Sequence, residues 1–192
     1  MAHRHKILPS AGDRCHVMGI LNVTPDSFSD GGRHQTAEVA LAHARAMIAE
    51  GADIIDIGAE STRPGAAAVD EAAEWARLEP VLAPVIALGA PVSVDTYKSA
   101  VARKACALGV ALVNDVWGLQ KDPAMADVVA EAGVPIVMMH NRLETDASID
   151  ILSDIDRFFE RSMALAERAG IPRERQILDP GFGFGKTMDQ NY

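Results

Sequence analysis

Six short apolar runs, each closing on a polar residue, divide the chain at intervals. They cover residues 16–23 with Asn22, 54–58 with Asp56 and Glu60 just beyond, and 92–96 with Asp95. Three more cover residues 111–116 with Asn114 and Asp115, 136–140 with His140, and 176–181 with Asp179. Between the runs, apolar positions recur at helical spacing. Leu41, Ala44, Met47 and Ile48 predict a helix over residues 36–50. Trp75, Leu78, Leu82, Val85 and Ile86 predict another over 70–88, in which Pro80 and Pro84 imply a kink or a break. Shorter helices are expected over 99–108 and 123–132, the second with Pro123 near its first turn. The longest, over 149–169, has Ile155, Phe158, Phe159, Met163 and Leu165 as its apolar set. Gly51, Gly89, Gly109, Gly133 and Gly170 stand where these helices should end, in the place of a left-handed cap.

Strand and helix in strict alternation imply a parallel sheet, because parallel neighbours need a crossover. In such sheets the carboxyl ends of the strands face the ligand, so the polar residues that close the runs should gather around one mouth. Two architectures fit: an open doubly wound sheet and a (β/α)8 TIM barrel. The first would carry a G-x-G-x-x-G turn after its first strand. Here residues 24–32 read Thr-Pro-Asp-Ser-Phe-Ser-Asp-Gly-Gly, without that fingerprint. The barrel is therefore the expected fold, α/β in class, with about six of its eight strand–helix units in this chain. No low-complexity linker interrupts the pattern, so a single domain over residues 1–192 is expected.

Composition narrows the function. A formal charge of −9 argues against a nucleic-acid footprint and against an anionic membrane surface, so no nucleic acid and no membrane is expected among the partners. Residues 1–13 lack the apolar core of a signal peptide, and no run approaches the length of a membrane span. Cys15 and Cys106 lie in or beside apolar runs and read as buried free thiols in a reducing compartment. The expectation is a soluble cytoplasmic protein.

The most specific segment is 18–32, Met-Gly-Ile-Leu-Asn-Val-Thr-Pro-Asp-Ser-Phe-Ser-Asp-Gly-Gly. Further blocks are Glu-Ser-Thr-Arg-Pro-Gly at 60–65, Val-Ser-Val-Asp-Thr at 92–96, Val-Asn-Asp-Val at 113–116 and Leu-Asp-Pro-Gly-Phe-Gly-Phe-Gly-Lys at 178–186. These blocks, in this order, strongly resemble the dihydropteroate synthase family, whose members join a pterin to p-aminobenzoate. The resemblance implies a TIM barrel and a transferase that condenses 6-hydroxymethyl-7,8-dihydropterin diphosphate with p-aminobenzoate, giving 7,8-dihydropteroate and pyrophosphate in folate biosynthesis.

The residue types suit that chemistry. A pterin presents a 2-amino-pyrimidinone edge with adjacent N–H donors; a carboxylate matches two such donors, and an amide supplies a donor and an acceptor. Asp95, Asn114 and Asp179 have the right chemistry, although a single strand-end Asp is more often a cap than a ligand. By resemblance, Asp179 grips the pyrimidine edge, Asp95 and Asn114 complete the ring contacts, and Phe184 supplies an apolar wall. Ser61, Thr62 and Arg63 would bind the pyrophosphate, and Asn22 would ligate Mg²⁺, which takes most of its shell from water and phosphate. Phe28 and Pro64 would form the p-aminobenzoate pocket, with Ser29 and Asp30 on a polar lid. The family also implies two further strand–helix units with a Ser-Arg-Lys and an Arg-x-His segment. These 192 residues lack them, so the expectation is a C-terminally incomplete barrel that alone lacks turnover and either is aggregation-prone or associates to cover its edges; a homodimer is among the expected partners.

Other readings carry less. A pterin-binding methyltransferase domain shares the grip on the ring but does not need the 22–30 lid or the 61–65 loop. A non-catalytic pterin-binding module is the non-enzyme alternative. Residues 181–187 end in Gly-Lys-Thr like a P-loop, yet Pro180 stands where that motif needs its first glycine. His140 suits a general base or a satisfied structural group equally.

Overall fold

The computed structural model describes residues 14–24, 33–60 and 69–192. Strand β1 (Met18–Asn22) leads to α1 (Arg33–Ala49), β2 (Ile54–Gly58), α2 (Glu71–Ile86), β3 (Val92–Asp95) and α3 (Ser99–Leu108). Then follow β4 (Leu112–Asp115), α4 (Met125–Ala132), β5 (Ile136–Met139), α5 (Ile151–Ala169) and β6 (Gln176–Asp179). All strands are parallel and stand in chain order, β1 to β6, with each helix packed beside the next. Strands β1 and β6 do not pair, so the sheet is six successive units of a (β/α)8 barrel, left open.

Register decides what each face carries. Residues paired across a parallel sheet share a face, and side chains alternate along each strand. One row runs Leu21, Ile57, Val94, Val113 and Ile136, all at most 1% exposed beneath the helices. The next row, on the opposite face, runs Asn22, Gly58, Asp95, Asn114, Val137 and Ile177. Asp179, two residues beyond Ile177, shares that inner face beside Met139. The fold thus separates an apolar layer from a polar rim at the carboxyl ends of the strands.

The helices close this core. Leu78, Val81, Leu82 and Val85 of α2 are fully buried; removing one such side chain costs about 2–5 kcal/mol. Of the kink or break expected at Pro80 and Pro84, the break is absent: α2 runs without interruption. The two prolines stand four residues apart on one side of the helix, Pro84 in solvent and Pro80 half-buried, and the opposite face stays packed. Asp70 caps α2 by accepting from the Ala73 N–H at 2.7 Å, and Asp150 caps α5. The five helix-ending glycines all have positive φ, from 67° at Gly133 to 108° at Gly51. Both thiols are free, but Cys15 is exposed, correcting the expectation that both are buried; it precedes β1, outside the sheet. Among the described residues, no helix is long and apolar enough to cross a membrane.

Candidate active site

The inner face places Asp95 and Asn114 side by side at the ends of β3 and β4, directly in register. Space for Asp95 comes from Gly58, its register partner on β2. A Cβ at position 58 would lie 3.1 Å from Asp95 Oδ2 and 3.3 Å from its Cβ, tighter than ordinary contact. One row deeper, Asp56 is 3% exposed and accepts from Asn114 Nδ2 at 3.0 Å. That bond turns the Asn114 carboxamide so that Oδ1, buried and without a partner in the protein, remains as an acceptor. Asp56 Oδ1 and Ser93 Oγ are likewise buried and unpartnered. Unpaired polar atoms in such a place are costly unless a ligand or water satisfies them.

The electrostatics point the same way. Burial pushes the Asp56 carboxyl up, while the hydrogen bond from Asn114 pulls it back. Asp95 keeps part of its surface open, but the surrounding protein drives its carboxyl well above the usual range. The carboxylates Asp56, Glu74, Asp115 and Glu60 add to that rise. A rim that repels further negative charge welcomes a ligand edge rich in N–H donors.

Asp179 enters from the other end of the sheet. Its Oδ1 accepts from the Gly181 N–H at 2.8 Å and its main-chain carbonyl accepts from the His140 N–H at 2.8 Å. Phe184 is half-buried in the loop that follows. Gly181, at φ 68°, is obligatory there: a Cβ would sit 2.0 Å from the His140 carbonyl oxygen. Asn22 closes β1 on the same inner row, exposed. The predicted Phe28, Ser29, Asp30, Ser61, Thr62, Arg63 and Pro64 lie outside the described residues.

Other strand-end groups serve the scaffold. Asp115 turns back into its own loop and accepts from the Trp117 and Leu119 N–H groups, and burial pushes it up to about 6. His140 is 1% exposed, with Nε2 3.3 Å from Asp154 Oδ2 and its ring edge-on to Phe158. Burial and Lys186 hold its pKa below the usual value, against the raising effect of Asp154. Glu60, just before the 61–68 segment, accepts from Lys98 and from the Tyr97 hydroxyl, and Lys98 also bonds the buried Glu74. Sequence reasoning missed the parts played by Asp56, Lys98 and Lys186. For Asp56 the available signal was its place two residues before Gly58 on one face of an apolar strand.

The profile of the family described as pterin binding enzyme matches residues 18–192 of this parallel barrel segment, whose inner rim carries Asn22, Asp95, Asn114 and Asp179. The chain belongs to the pterin-binding enzyme family. Within it, the chain is similar to dihydropteroate synthases. That of Bacillus subtilis (strain 168) is 52% identical over 176 residues, covering 91% of this chain and 61% of the relative. The crystal structure of the dihydropteroate synthase from Clostridium difficile, in the presence of pteroic acid, superposes with a TM-score of 0.92 at 47% identity. It covers 96% of this chain and 70% of the other. The Xanthomonas albilineans enzyme with 4-aminobenzoic acid gives 0.87 at 48% identity, covering 93% and 66%. The chain thus spans about 61% of the length of the Bacillus relative.

Proposed function

We propose that this chain carries the pterin grip and the start of the leaving-group site of a dihydropteroate synthase. The reaction condenses 6-hydroxymethyl-7,8-dihydropterin diphosphate with p-aminobenzoate to 7,8-dihydropteroate and pyrophosphate. The observation that carries this reading is the inner row: Asp95 beside Asn114, made possible by Gly58, with Asp179 on the same face. The relatives with pteroic acid and 4-aminobenzoic acid support it.

In this reading Asp179 binds the pyrimidine edge through the oxygen that Gly181 leaves open, and Asn114 offers its free carbonyl oxygen. Asp95 accepts a ring N–H, a bond that favours its carboxylate form. The methylene carbon loses its C–O bond, the bonding pair departing with the pyrophosphate, and the electron-rich pterin carries the resulting positive charge. The arylamine lone pair then forms the C–N bond and the nitrogen gives up a proton. The protein positions the partners and stabilises the leaving charge rather than attacking covalently. Ser61, Thr62 and Arg63 bind that charge, Phe28 and Pro64 flank the arylamine, and Ser29 and Asp30 cover the site.

Mg²⁺ belongs to the same proposal. Asn22, exposed on the inner rim, fits it as one neutral oxygen donor to a metal that is otherwise held by water and phosphate. When bound, the metal neutralises charge on the departing pyrophosphate. A cytoplasmic location and a homodimer complete the reading.

The test supplies what the relatives have in addition. Fusing this chain to the part of the Bacillus subtilis relative beyond its matched region should give a protein that forms dihydropteroate from both substrates with Mg²⁺. A folded, pterin-binding fusion without product would overturn the synthase reading.

A further inference from the structure

Lys186 stands outside the proposed machinery, yet it is one of the most enclosed cations in the protein, 8% exposed. Its Nζ donates to the carbonyls of Gly181 at 2.7 Å, Phe184 at 3.2 Å and His140 at 3.5 Å. Three N–H donors therefore meet three main-chain acceptors. Two belong to the loop after β6 and the third to the end of β5, so the ammonium ties the loop to its neighbouring strand. Close packing leaves that loop no room to shift toward β5. A Cβ on Gly185, at φ 61°, would lie 2.5 Å from Arg142 Cβ and 2.6 Å from the Arg142 carbonyl oxygen, and Gly181 is tighter still. Burying an ammonium is costly. The nearby Asp179 charge opposes that cost, whereas Arg142 adds to it.

We propose that Lys186 is a positioning residue for Asp179. It fixes the backbone at Gly181, a residue whose N–H holds Asp179 Oδ1 and whose carbonyl accepts from Nζ, and thereby aims the second carboxylate oxygen at the pterin edge. The same clamp sets Phe184, whose N–H donates to the Gly181 carbonyl and whose own carbonyl accepts from Nζ. Gly181 is thus the shared joint: the carboxylate holds its N–H, in the peptide before its Cα, and the ammonium holds its carbonyl, in the peptide after it.

This inference rests on the pterin reading, so its test has one arm with ligand and one without. In the unliganded chain, Lys186→Met should speed amide hydrogen exchange at Gly181 and Phe184 while leaving β5 unchanged. In titrations with 6-hydroxymethylpterin, Lys186→Met should weaken binding about tenfold, the worth of one lost charged hydrogen bond. In an Asp179→Asn background the same substitution should cost less than about twofold, because its target is already lost. A loss of equal size in both backgrounds would show a general structural role and overturn the proposal. So would unchanged exchange at Gly181. If Lys186→Met does not fold, Lys186→Gln, which keeps N–H donors without the charge or the reach, runs the same comparison. Absent pterin binding by the unsubstituted chain would overturn the functional reading, and the exchange arm would still decide whether Lys186 fixes the backbone at Gly181.

Discussion

Replacing Lys98 by Met tests how the site is anchored. The ammonium bonds two carboxylates, Glu60 just beyond β2 and Glu74 in α2. Met keeps most of the volume but leaves both carboxylates without their cation. Glu74 is 1% exposed, so water cannot replace the lost partner. Removing one member of a buried ion pair costs about 3–5 kcal/mol, against about 0–1 kcal/mol for an exposed pair. The burial of Glu74 places this cluster in the first class. Glu60 retains the Tyr97 hydroxyl at 2.9 Å, which favours the lower end, about 3 kcal/mol. Urea denaturation should show the midpoint falling with an unchanged slope, the sign of lost stability in an intact two-state transition. Adding Glu74→Gln to Lys98→Met should recover part of the loss, since the uncompensated charge is then gone. A change below about 1 kcal/mol for Lys98→Met would refute the claim that this cluster holds α2 to the end of β2.

Two further outcomes follow from the site and its charges. Asn22→Ala should weaken binding of the pterin diphosphate in the presence of Mg²⁺ far more than binding of the bare pterin alcohol; equal losses in parallel titrations would reduce Asn22 to a shaper of its loop. Stability should fall as pH rises from about 4 to about 6. Over that window the folded state keeps the proton on Asp115, pushed up to about 6, while the unfolded chain releases it. The shift is worth on the order of 3 kcal/mol. Asp56 and Asp95, both raised by burial, act in the same direction. Asp53, Asp122, Asp146 and Asp150 are held low and act below this window. His140 opposes the trend: its pKa is held below the usual value, so the unfolded ring keeps a proton that the folded ring has lost until the unfolded ring too deprotonates. Thermal unfolding at pH 4, 5, 6 and 7 reads the sign, Asp115→Ala should flatten the slope, and stability rising through pH 4–6 would contradict the assignment.

The strand–helix alternation was legible because each apolar run is short and each helix ends on a glycine that the backbone does place at positive φ. The inward set was legible only in part. Asn114 and Asp115 are adjacent, and composition alone does not say which faces the mouth. Register settles it, pairing Asn114 with Asp95, while Asp115 folds into its own loop. Pro80 and Pro84 do not break α2, because proline chemistry is local whereas the helix is held by a buried face in contact with the sheet and its neighbours. Lys98 and Lys186 were invisible for a related reason. Their partners are glutamates 38 and 24 residues away in one case, and carbonyls in the other, which no side-chain motif records.

The central claim is that Asp95, Asn114 and Asp179 form one grip for a pterin edge, and titrating 6-hydroxymethylpterin into the protein by fluorescence or calorimetry tests it most directly. Saturable binding at one site per chain is expected. Asp179→Asn is the sharpest variant: Gly181 keeps the remaining oxygen, so an amide donor faces a ring donor. Each of Asp95→Ala, Asn114→Ala and Asp179→Asn should cost about 1–3 kcal/mol, roughly 5- to 150-fold in affinity. Affinity unchanged in all three variants, or no saturable binding by the unsubstituted protein, would contradict the account.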